Sequence, residues 1–139
     1  MHKVKLPPNV EFHEDIRLLV YRPRGLVNKA AVNKIISVVG ELETTLKEPF
    51  NRFSDTVAAD AVDLNFKFVF DVALHRRLTY VGHPAVKSAF YVTSPTTVHY
   101  AKLHKLLNDY SPINVRLFTE LAEAAKWLGV PMEILTMHD

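Results

Sequence analysis

Residues 65–78 read NFKFVFDVALHRRL, and the choice between strand and helix there decides the fold. Two periods compete. Leu64, Phe66, Phe68, Phe70 and Val72 alternate as in a strand, whereas Phe66, Val69, Phe70 and Ala73 recur at helical spacing behind Asn65, a good capping residue. The chain that follows selects the helix. SAFYVT, at 88–93, is a short buried strand, and joining two parallel strands takes a crossover of about a dozen residues. A strand over 64–72 would leave too little chain before residue 88 to supply one.

Upstream, VEFHEDIRLLVYR (10–22) reads as a hairpin ending in a buried strand, with Ile16, Leu18 and Val20 alternating and Leu19 and Tyr21 adding apolar character to the other face. PRG interrupts it. Asn28 then caps a helix whose stripe includes Ala31, Ile35, Val38, Val39, Leu42 and Leu46, and Pro49 stops that helix. FNRFSDTVAADAVDL (50–64) reads as an irregular extended segment. Downstream of SAFYVT, Ser94 caps a helix from Pro95 to about Asp109, with Val98, Tyr100, Ala101, Leu103, Leu106 and Leu107 apolar. INVRLF (113–118) is the last strand. Thr119 caps a closing helix striped by Leu121, Ala124, Ala125 and Leu128 and ended by Gly129 and Pro131. The order β-β-α-β-α-β-α-β-α predicts an α/β layer structure with a mostly parallel sheet and helices largely on one face. Right-handed crossovers then put the C-terminal ends of the later strands on one edge.

Composition bounds the class. A chain of 139 residues, 48% apolar and 23% charged, fits one packed domain and not a disordered one. A net charge of +2 gives no general attraction for nucleic acid. The absence of cysteine excludes disulfides, thiol nucleophiles and cysteine metal sites. With neither the apolar core of a signal peptide nor a run able to span a bilayer, the expectation is a cytoplasmic protein. Apolar character on both faces of the Ile16–Tyr21 strand, against helices on one face, leaves surface that a homodimer would cover.

GLVNKAAVNKII (25–36), VKSAFYVTS (86–94) and INVRLFTELAEAAKWLG (113–129), in this element order, together resemble the SpoIIAA-like superfamily, which includes STAS domains, over almost the whole chain. The resemblance implies a binding or regulatory module acting through a protein partner, without a cofactor, more than an enzyme. STAS domains of the anti-sigma-antagonist type carry a phosphorylatable serine in an Asp-Ser-Ser-Gly-like turn before the second main helix. DAVDLNF (60–66) stands there instead, with Asp60 and Asp63 but without the serine and glycine, and Ser54 and Thr56 lie too early to replace them.

The chemistry-bearing residues form one candidate cluster. Ser94, Thr96 and Thr97 at a helix start, with Arg22 or Arg24 from RPRG at the same sheet edge, would suit a carboxylate or phosphate. The competing reading, that Ser94 only caps the helix, is favoured because Ser-Pro is a routine helix-start signal. No Gly-x-Ser-x-Gly elbow or glycine-rich phosphate loop occurs, and four scattered glycines could not build the latter. Glu14 and Asp15 are adjacent in a turn, and His99 and His104, five apart, miss the four-residue spacing of a helical zinc pair. His75, Arg76 and Arg77 make a basic helix end. Phe66, Phe68 and Phe70 are expected to fill the core between helix and sheet; lining an apolar ligand cavity is the alternative. That alternative, or the anion cluster, makes the protein a carrier or sensor of a small apolar or anionic ligand.

Overall fold

Leu18, Leu19 and Val20 are all fully buried, so their strand is covered on both faces. The computed structural model, which describes residues 6–108 and 112–136, shows how. β1 (Val10–His13) pairs antiparallel with β2 (Leu18–Tyr21), and β2 is followed in the sheet by β4 (Asn51–Asp55), β6 (Val86–Tyr91) and β7 (Ile113–Phe118), all parallel. A second, two-stranded parallel sheet joins β3 (Gly25–Asn28) to β5 (Ala59–Asp63).

Three helices pack on one face of the large sheet. α1 (Lys29–Leu46) lays Val38, Val39 and Leu42 against Leu19, Val10 and Phe50. α2 (Phe66–Thr79) and α3 (Pro95–Leu107) complete that layer, burying Val69 and Ala73 from one and Thr97 and Ala101 from the other. The opposite face is covered by the shorter α4 (Leu121–Leu128) and by α5 (Met132–Leu135), whose Ala124, Ala125, Leu128 and Leu135 meet Leu18, Val20, Phe53 and Ala89.

The mostly parallel α/β sheet is as the sequence predicts, and the ambiguous stretch forms the helix α2, Phe66–Thr79. Asn28 and Asn65 accept hydrogen bonds from the backbone N–H of Ala31 and Phe68, each the cap anticipated. Several expectations need correction. β3 and β5, expected as an interruption and as irregular chain, pair only with each other; Gly25, Asp60 and Asp63 interrupt any regular apolar alternation. The final helix takes Glu120, not Thr119, as its N-cap residue, without a side-chain cap bond. α3 ends at Leu107, and Asp109 lies outside the described residues. The expectation of an uncovered face for a homodimer is corrected among the described residues: Leu19 packs under α1, and Leu18 and Val20 on the other face lie beneath α4 and α5. Among the described residues no helix is long and apolar enough to cross a membrane.

Candidate functional site

Between the large sheet and the α1–α2–α3 layer lies a cavity of about 230 Å³. Its floor follows from the strand register. Leu19, Arg52 and Ser88 are direct neighbours across β2, β4 and β6, and Tyr21, Ser54 and Phe90 form the next row on the same face. Its roof is apolar, built from Ile35, Ile36 and Val39 of α1, Phe68, Val69 and Val72 of α2, and Ala101 of α3, while Val27 and Val62 close the end beneath the small sheet. A dry apolar cavity of about 150 Å³ already admits a benzene-sized guest, so this one has room for a somewhat larger molecule.

An arginine in the middle of a buried sheet row is unusual, because desolvating a guanidinium costs several kcal/mol unless it is paired. Arg52 is only 8% exposed. It donates to Glu43 of α1 at 2.8 Å and to the Tyr80 hydroxyl, and its guanidinium lies over the rings of Phe50 and Tyr80, at 4.9 and 5.3 Å from their centroids. The same Glu43 stands 3.6 Å from Arg76 of α2. Burial, reinforced by Arg76 and opposed by Glu43, lowers the Arg52 pKa to about 10, and burial lowers that of Arg76 against the pull of Glu43. Both arginines remain cationic at neutral pH. His104, also on the cavity wall, is brought down to about 4 by burial and by Arg76, so it is neutral there. The Arg52 Nε has no hydrogen-bond partner among the described residues.

Of the cluster expected at the sheet edge, the structure gives Arg22 a different setting. Its guanidinium is buried beside α5, bonded to Glu11 at 3.1 Å and to the carbonyls of Leu135 and Thr136, with Asp55 at 3.7 Å. Arg24 and Thr96 are exposed. Ser94 caps α3 in a capping box with Thr97, whose backbone N–H donates to Ser94 Oγ at 3.2 Å. Thr97 is buried and reaches the cavity wall. The second expectation to change concerns the phenylalanines: Phe68 lines the cavity, but Phe66 and Phe70 stack on each other on the exposed side of α2 and fill no core. Arg52 and Glu43 were not among the candidate residues. NRFSD itself offers no apolar alternation, since Phe53 is its one apolar residue, so nothing in the sequence assigns Arg52 a direction until β4 is paired.

No protein-family model matches the sequence, and no curated protein matches it. The chain is similar to the crystal structure of an uncharacterised protein of the DUF3478 family, with a SpoIIAA-like fold, from Shewanella loihica PV-4. The two superpose with a TM-score of 0.56 at 14% identity, over 86% of this chain and 90% of that one. The fold is therefore SpoIIAA-like.

Proposed function

We propose that this SpoIIAA-like chain is a non-catalytic binding module that holds a small ligand in the cavity between its sheet and its three-helix layer. The observation that carries this reading is the cavity itself: about 230 Å³ of space walled by α1, α2 and α3, in a fold whose other face is closely packed by α4 and α5. Protein interiors leave few voids larger than a water molecule, and binding sites are concave, mostly apolar and provided with a few polar groups. Here those groups include Arg52, Arg76, Ser54 and Ser88.

Titration with toluene, 1-octanol and octanoate, followed by protein NMR, tests the reading. The shifts should fall on the Leu19, Val39, Val69 and Ala101 methyl groups and vanish in Val72→Phe, which fills the space from α2. If none of the three binds, or if Val72→Phe binds them unchanged, the cavity is not a ligand site.

A second reading, docking through α2, is favoured by one observation. Phe66, Phe70, Leu74 and Leu78 recur every four residues and are exposed, followed by exposed Val81. Such a contiguous apolar stripe is a mark of an interaction surface, and a second copy of the chain is the occupant proposed here. Light scattering across a concentration series decides it: a single-chain mass throughout, or a dimer unaffected by Phe70→Ser with Leu74→Ser, rejects this surface.

A further inference from the structure

We infer that the cavity selects a small amphipathic monocarboxylate, whose head group is held by Arg52 and Arg76 and whose apolar body lies against α1, α2 and α3. This rests on the proposal that the cavity binds a ligand, and it deepens it by naming the chemistry of the guest.

Charge carries the argument first. The cavity wall contains two arginines and no aspartate or glutamate. The carboxylate that serves them, Glu43 of α1, lies outside the lining and is shared: one oxygen accepts from Arg52 at 2.8 Å while the other stands 3.6 Å from Arg76. Two cations against one anion leave a local excess of one positive charge, and neutral His104 adds nothing to it. A buried excess of this kind is costly until an anion enters. The cost is visible in the guanidinium of Arg52, which burial and Arg76 together make easier to deprotonate.

Hydrogen-bonding capacity points the same way. Arg52 has five N–H donors and is buried, yet its Nε has no acceptor among the described residues. Ser88 is its direct neighbour across the β4–β6 pair, and Ser54 lies two residues further along β4, so two hydroxyls share its side of the cavity. A carboxylate provides two acceptor oxygens, matched in geometry to a guanidinium. A phosphate dianion would exceed the single uncompensated charge, and apart from Tyr21, Thr56, Thr97, Tyr100 and neutral His104 the remaining walls are aliphatic and aromatic residues, which favours a hydrocarbon body over a polar one.

Octanoate and 1-octanol share a chain length and differ at the head group, so calorimetric titration of the full chain with each tests the inference. Octanoate is expected to bind about tenfold or more tightly than 1-octanol, the effect of one charge-assisted hydrogen bond to a desolvated arginine. Arg52→Met should remove that preference. Equal affinity of the two guests for the wild type overturns the head-group assignment while the cavity reading stands. Failure of both guests, and of toluene, overturns the two together. Should Arg52→Met not fold, the wild-type comparison decides alone, and a preference for octanoate that survives in folded Arg52→Gln also overturns the role of Arg52.

Discussion

Arg52 and Arg76 share one carboxylate, that of Glu43, although they come from a central strand and from a helix of the overlying layer. The three residues tie β4, α1 and α2 together at one end of the cavity. Apolar packing holds the outer part of α1 to the sheet through Val38, Val39 and Leu42, but α2 buries little beyond Val69 and Ala73. The ion cluster is therefore a substantial part of what fixes α2 over the cavity.

Glu43→Gln is expected to destabilise the protein by about 3 kcal/mol, because it strands two buried cations at once. Glu43 is partly exposed, which places the effect toward the low end of what breaking a buried ion pair costs. Urea denaturation measures it. Octanoate should recover more stability in this variant than in the wild type, since the guest then supplies the missing charge; equal recovery would separate Glu43 from the site.

On α2 the two faces should respond oppositely. Phe66→Ser and Phe70→Ser are expected to change stability by no more than about 0.5 kcal/mol, as substitutions of exposed residues do, while Val69→Ala costs about 1–2 kcal/mol. Thermal unfolding of the three variants checks this. A large loss in the phenylalanine variants would mean that the stacked pair packs against something in solution.

The same helix shows what the sequence could and could not disclose. Its existence followed from chain length alone, since β4 and β6 are parallel neighbours and the crossover between them needs a helix. Its orientation did not, because Phe66, Phe70, Leu74 and Leu78 lie on one side and Val69, Val72 and Ala73 on another, so apolar residues surround it and no stripe stands out. The caps at Asn28, Asn65 and Ser94 were legible because each is a local bond to the first turn. Arg52, Glu43 and Arg76 were not, because three segments far apart in the chain meet only once the register of β4 is set. Arg22 was expected at the sheet edge beside Ser94 as a candidate anion ligand, but α5, a single short turn of helix after Pro131, leaves no periodic signal and covers it.

At the start of α3, Ser94→Ala is expected to cost about 0.5–2 kcal/mol, the range for removing a side-chain cap. Here two interactions are lost, because Ser94 Oγ accepts from the Thr97 N–H and also bonds the Thr97 hydroxyl at 3.0 Å. Ser94→Asp should retain most of the stability, as aspartate caps equally well. Chemical denaturation of both variants tests the assignment; equal stability of wild type and Ser94→Ala would reject it.

Acid should weaken the fold through His104. Its folded pKa of about 4 lies below the ordinary value of 6.5, so between these values the unfolded chain binds the proton and the folded chain does not. Stability from this group is thus intact above about pH 6.5 and falls as the pH drops toward 4, by up to about 3 kcal/mol for a shift of this size. The cause is burial, with the nearby Arg76 charge adding to it, and the ring is further engaged by the Asn108 side-chain amide at 3.3 Å and the edge of Phe90. His104→Gln keeps a polar group of similar reach and removes the titration. Its stability should change less than that of the wild type between pH 7 and pH 5 in denaturant titrations, a window in which ordinary carboxylates stay mostly ionised. An identical pH slope in the two proteins would show that His104 takes up its proton as readily folded as unfolded.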